Sequence, residues 1–228
     1  RDGAVAGDEA DEALAAARSV YDLALQKRIP IYEPFQGSMI GGLRVMSPTY
    51  LDYLNLLQHF RATPPAATPS PLRGSGIAAL LEAALRWIPA TPANENSLLG
   101  LNPTAAENET SVVLLGDFGG QRILLTGDAG PAALWSTVQY AYALGISLQQ
   151  LRLLQVPHHG SRNNLTADLL RHITAGTAFV SVAPASPTHP RRSVTNALQR
   201  RGTQVFATQG RGLMFSLNAQ ARPGWTTV

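Results

Sequence analysis

The chain contains no cysteine. That excludes disulfides, thiolate metal ligands and a cysteine nucleophile, so any metal must be held by imidazole and carboxylate. Charge is also scarce, with Asp, Glu, Lys and Arg making up 14% of the 228 residues against a typical ~25%. Hydrophobic residues nevertheless reach 45%, enough for a packed core, which excludes disorder throughout the chain. No uninterrupted apolar run approaches the roughly 18 residues that a membrane-spanning helix needs. No basic stretch followed by an apolar one opens the sequence, so no signal peptide is visible. Lysine is nearly absent too: Lys27 stands alone, and arginine carries the rest of the positive charge.

That charge is unevenly spread. Residues 1–128 hold 9 basic and 14 acidic groups, a net −5, whereas residues 129–228 hold 9 arginines against the single Asp168, a net +8. Arginine's planar fork suits phosphate, and basic clustering fits a polyanionic substrate as well as it fits a merely soluble face.

Residues 8–28 read as a helix, with Leu14, Ala17, Tyr21, Ala24 and Leu25 at three- and four-residue intervals. Extended chain follows over 29–35, a strand over 43–46 and a short helix over 50–60. Pro64, Pro65, Pro69 and Pro71 then mark a change of character. Residues 61–110 are expected to form a variable insertion or mobile linker, with one helix over 77–87, inside a single domain spanning 1–228. From residue 111 onward the pattern is clearer. Strands are expected at 111–115, 122–126, 151–156, 178–182, 205–207 and 213–217, and helices at 132–144, 165–173 and 193–200. Asp117, Gly119 and Gly120 supply a tight turn between the first two strands. Alternating short apolar strands and helices predict an α/β layered fold.

Two motifs place polar residues directly after apolar strands: Thr126-Gly127-Asp128 and Val156-Pro157-His158-His159-Gly160-Ser161. Strand ends of this kind are where α/β proteins assemble sites. A carboxylate and imidazoles suit zinc or manganese. Each residue also has a plainer reading: Asp128 as a helix cap, the histidine pair as a structural loop, Ser161 as a turn residue rather than a phosphate contact. No Ser–His–acid arrangement is visible to make Ser161 a nucleophile. His189 divides between catalysis and packing, while His59 and His172 belong to no motif. Trp87, Trp135 and Trp225 are too dispersed for a base-stacking platform.

In their order and spacing these motifs resemble the metallo-β-lactamase fold, and most of all the soluble domain of the ComEC/Rec2 competence family. The resemblance runs through Asn108-Glu109-Thr110-Ser111, Gly119-Gly120, Thr126-Gly127-Asp128, the His158-His159-Gly160-Ser161 signature, Thr188-His189-Pro190, Gly202-Thr203-Gln204-Val205-Phe206, Thr208 and Gly212. It covers 108–217 well and 29–48 more weakly. It implies an αββα sandwich with two divalent metal ions, zinc or manganese, at one edge. Asp128 matches the metal-bridging aspartate, and the pair His158 and His159 a region that supplies a late ligand, without deciding which ring binds. His189 matches a polar position near the active-site edge. The implied activity is metal-dependent phosphodiester hydrolysis, on DNA or another phosphoester, with Asp128, His158, His159 and His189 catalytic. Arg162, Arg191 and Arg192, with Ser161, would contact the substrate.

One family element is missing. The early His-x-His-x-Asp-His motif has no counterpart among the five histidines. Two expectations follow. The chain is the C-terminal part of a longer protein, incomplete at its N-terminus and completed by an upstream fragment carrying the other ligands. Otherwise it is an inactive scaffold or nucleic-acid-binding domain of the same fold. The compartment stays open between a bacterial cytoplasm and an extracytoplasmic setting.

Overall fold

A computed structural model describes residues 15–16, 18–60, 91–100, 102–217, 220 and 222–228. The tight turn expected around Gly119 and Gly120 joins β3 (Val113–Phe118) to β4 (Gln121–Leu125). Both glycines have positive φ, +66° and +81°, the conformation a two-residue hairpin needs to match strand twist. Asp117 holds the turn: its carboxylate accepts from the Gly120 N–H at 2.8 Å and from Arg122 Nε at 2.9 Å. The hairpin extends on one side through antiparallel β2 (Leu43–Ser47) to a two-residue edge strand, β1 (Met39–Ile40).

On the other side the sheet turns parallel. β4 is followed by β5 (Leu151–Gln155), β6 (Ala175–Val180) and β7 (Gln204–Ala207), all running the same way. The result is a seven-stranded mixed sheet whose strands lie in chain order. A separate parallel ribbon pairs β8 (Gly212–Met214) with β9 (Trp225–Thr227).

Neighbouring residues of a strand face opposite sides, and the register therefore sorts the core. Leu115, Leu124, Leu154 and Ala178 stand in one row across four strands and are at most 4% exposed. They share one apolar cluster with residues of the helices Pro131–Ala143 (Ala133, Leu134, Ala141), Leu169–His172 (Leu169, Leu170) and Arg192–Arg200 (Val194, Ala197, Leu198). The opposite row is apolar as well: Leu114 pairs with Leu125 and Phe179 with Phe206, yet all four are only half-buried. Phe215, next to the ribbon, packs edge-on against Phe179 at 6.4 Å between centroids.

Several boundaries differ from the sequence reading. The helix expected over 165–173 is confined to Leu169–His172, although Leu165, Leu169, Leu170 and Ile173 are all buried. Helical spacing correctly marked the apolar positions, but the Thr166 hydroxyl accepts from the Leu169 N–H at 3.1 Å and starts the helix there. The helix expected over 50–60 ends at Leu57, having begun beside Thr49, whose hydroxyl accepts from the Asp52 N–H. Residues 29–35, expected as extended chain, belong to no helix or strand; of the helix expected over 8–28, residues 18–26 are helical, while 8–14 and 17 lie outside the described residues. The expected helix at 77–87 lies outside the described residues.

Within the stretch read as an insertion, the short helix Glu95–Leu98 docks firmly. Leu98 and Leu99 join the core, and the buried Glu95 carboxylate is paired with both Arg200 and Arg201. Arg201 Nη1 reaches Glu95 Oε2 at 3.1 Å. Burial lowers the pKa of both guanidinium groups, which nonetheless remain charged beside the carboxylate. No helix among the described residues is long and apolar enough to cross a membrane.

Candidate functional site

Four parallel strands ending on the same side bring four loops to one edge of the sheet. After β4 the chain runs through Thr126-Gly127-Asp128, and after β5 through Pro157-His158-His159-Gly160-Ser161. The loop after β6 carries His189, and Thr208 follows β7.

The β4 and β5 loops are laced together. Gln155 Oε1 accepts from the backbone N–H groups of Thr126 and Gly127 at 3.0 and 3.2 Å, and the Thr126 hydroxyl donates back to the Gln155 carbonyl at 2.7 Å. The His158 N–H donates to the Gly127 carbonyl at 3.1 Å. The Asp128 N–H donates to the Ser111 hydroxyl, and Asn164 Nδ2 donates to the Asp128 and Ala129 carbonyls.

The histidine pair has an unusual backbone. His158, His159 and Gly160 have φ of +46°, +55° and +77°, three successive left-handed residues. Such conformations cost about 1–3 kcal/mol each outside glycine and persist where surrounding structure enforces them, often at functional sites. Gly160 is required for close approach: a Cβ there would lie 2.9 Å from Pro190 Cβ and 3.3 Å from Val180 Cγ1. The Gly160 carbonyl also accepts from the Arg191 N–H at 3.1 Å. These contacts bring His189 against the histidine pair.

The three imidazoles form a cluster with centroid separations of 5.9, 6.0 and 6.4 Å. Each is held through Nδ1. His159 Nδ1 donates to the Ser181 carbonyl at 2.6 Å, since a carbonyl only accepts. His158 Nδ1 lies 3.2 Å from both Asn164 Oδ1 and the Asn108 amide. His189 Nδ1 lies 2.9 Å from the Thr188 hydroxyl. No hydrogen bond among the described residues engages Nε2 of any of the three. Burial, then the charges of Arg191, His158 and His159, lower the His189 pKa to about 4, so this ring is neutral at pH 7.

The structure thus gathers His158, His159 and His189 beside the Asp128 loop. The Asp128 carboxylate makes no hydrogen bond or ion pair among the described residues. Ser161 is buried, and its hydroxyl accepts from the Asn163 N–H at 3.3 Å, the turn contact that its plainer reading describes. Arg162 is buried, whereas Arg191 and Arg192 open the 192–200 helix beside His189. His59 is exposed, and His172 lies edge-on to Trp135.

Sequence reasoning did not single out Gln155, Asn164 or the Ser181 carbonyl, and quoted Asn108 only within a motif. None stands in a periodic pattern, and each acts on a partner distant in sequence. Glu109 was missed likewise. Its carboxylate accepts from the Ala133 N–H at 2.9 Å and the Ala132 N–H at 3.4 Å, capping the helix that follows Asp128. Burial raises its pKa against the lowering effect of those two bonds.

The donor set suits a divalent ion in kind but not yet in arrangement: among the described residues no three His, Cys, Asp or Glu side chains converge to hold a metal. The described residues alone do not close a metal centre. The molecule is an α/β protein with a histidine-rich site at the C-terminal edge of its parallel strands. Neither the models of known protein families nor the curated proteins contain a match to it.

Proposed function

We propose that this chain is the downstream part of a metallo-β-lactamase-like, metal-dependent hydrolase related to the ComEC/Rec2 soluble domain and acting on phosphodiesters, with DNA as the leading substrate class. The observation that carries this reading is the cluster of three imidazoles, each tied through Nδ1 and open at Nε2, beside the Asp128 loop. Ties of that kind orient histidine ligands in metal sites. Zinc or manganese, when bound, supplies activated water and stabilises charge on phosphate oxygens. His158, His159 and Asp128 would contribute ligands, with the remainder coming from outside the described residues. His189, neutral at pH 7, would offer Nε2 to the substrate as a hydrogen-bond partner, its role set by the tautomer that the Thr188 hydroxyl selects. Arg191 and Arg192, beside His189, would attract a phosphate backbone, with Ser161 and Arg162 of the β5 loop as further candidate contacts.

The sheet supports the same reading. Parallel sheets are normally covered on both faces. Here the helices Pro131–Ala143, Leu169–His172 and Arg192–Arg200 join one cluster on one face, while the opposite row holds the half-buried Leu114, Leu125, Phe179 and Phe206. A second sheet closing on that face would make the αββα sandwich.

The test combines metal analysis with DNA cleavage, on the chain together with any polypeptide that copurifies. Chelator-sensitive cleavage is expected, along with metal occupancy that falls sharply in Asp128→Ala. Replacing Arg191 and Arg192 together should weaken DNA turnover more than turnover of a small neutral ester, and the difference should shrink at high salt. Full occupancy in D128A would remove the metal assignment. Salt-sensitive DNA binding that survives chelation, without cleavage, would favour the nucleic-acid-binding alternative.

A further inference from the structure

We infer that Asn164 is a positioning residue that fixes the tautomer of His158, holding the proton on Nδ1 and presenting the Nε2 lone pair to the site. Asn164 is fully buried, and its side chain joins two loops distant in sequence. Nδ2 donates to the Asp128 carbonyl at 2.9 Å and to the Ala129 carbonyl at 3.2 Å. Carbonyls only accept, so both amide protons are committed and the amide cannot be turned over. Oδ1 is thereby directed at His158 Nδ1, 3.2 Å away. An amide oxygen also only accepts, so the facing ring nitrogen carries the proton.

Asn108 Nδ2, also placed 3.2 Å from that nitrogen, does not override this assignment, because this amide can turn over and present Oδ1 there instead. Its other neighbour is the Thr104 hydroxyl at 2.6 Å, which accepts or donates as required. Asn108 therefore adapts to the ring, while Asn164 does not.

The outcome runs against the intrinsic preference of neutral histidine, which places the proton on Nε2. A buried amide has reversed it. Because the same amide grips the Asp128 and Ala129 carbonyls, the orientation of His158 is coupled to the loop that carries Asp128. The consequence for ligand binding rests on the function proposed above; the tautomer itself does not.

Long-range 15N–1H NMR of the histidine rings in the full chain, without metal, reads the tautomer directly. Wild-type His158 is expected to show a protonated Nδ1 and an unprotonated Nε2. Asn164→Asp keeps an acceptor against Nδ1 and should keep that tautomer. Asn164→Leu removes the acceptor while keeping the branched shape, and should shift the proton towards Nε2. Zinc alone serves as the second probe, with an expected loss of about 10–100-fold in affinity for N164L, typical of removing the partner of a ligating histidine. A wild-type ring protonated on Nε2 overturns the inference even if neither variant folds. A folded N164L that keeps Nδ1 protonated overturns it too. If wild type, together with any polypeptide that copurifies, binds no zinc while the tautomers behave as stated, the metal reading fails and the positioning role stands.

Discussion

Gly160→Ala tests the contact that assembles the histidine cluster. Two separate costs are expected. A left-handed non-glycine residue costs about 1–2 kcal/mol, and Gly160 sits at φ +77°. The new methyl would also lie 2.9 Å from Pro190 Cβ and 3.3 Å from Val180 Cγ1. Neither neighbour is the end of a flexible chain, and overpacking of this kind costs about 1–3 kcal/mol. The stiffer unfolded chain offsets about 0.4–1 kcal/mol. The net loss is then about 1–4.5 kcal/mol, centred near 3, read as a lower urea midpoint at unchanged slope. Gly145→Ala is the control: its φ is +67°, but nothing lies within 4 Å of the added methyl. It should show the conformational cost alone, about 1 kcal/mol once the unfolded-state offset is taken off. Equal losses in the two variants would refute the claim that packing against Pro190 holds the β5 loop to His189. In G160A the His189 ring resonances should also move, whereas in G145A they should not.

Two further outcomes are expected. Glu95→Ala strips a buried carboxylate from Arg200 and Arg201. Breaking a buried pair costs about 3–5 kcal/mol, and partial exposure of the arginines reduces this to about 2–4 kcal/mol; a loss below about 1 kcal/mol in urea unfolding would show that Glu95–Leu98 does not anchor the 192–200 helix. His189 has a folded pKa of about 4 against an ordinary 6.5, through burial and then the Arg191 charge. Between those values the unfolded chain binds more protons, so stability is present above pH 6.5 and is lost as pH falls towards 4. In metal-free protein His189→Gln should flatten that acid limb, and an unchanged pH profile would contradict the burial of the ring.

The readable part of this protein was local. Strands β3 to β7 announced themselves as short apolar runs between turn residues, because strand periodicity and glycine turns are written within a few positions. The same locality exposed Thr126-Gly127-Asp128 and His158-His159-Gly160-Ser161, polar groups directly after apolar runs. It also misled where spacing and capping disagreed, as at Thr166, and where composition hid a core contribution. Leu98 and Leu99 lie in a stretch whose proline- and alanine-rich surroundings read as an insertion.

What the tertiary structure alone decided was which of these pieces meet. Strand order put the ends of β4, β5, β6 and β7 on one edge, and that order is a property of pairing across tens of residues rather than of any short pattern. Asn164 is the clearest case. In the sequence it is one of two asparagines before a leucine, with no distinguishing mark. In the fold its amide spans from the Asp128 and Ala129 carbonyls to the His158 ring. Composition determined that imidazole and carboxylate were the metal donors on offer, and motif order determined the resemblance. Only the packed chain determined that three rings share one corner and which nitrogen each keeps free. A hydrogen bond depends on where its partners stand in space, and for these partners the chain separation carries no trace of it.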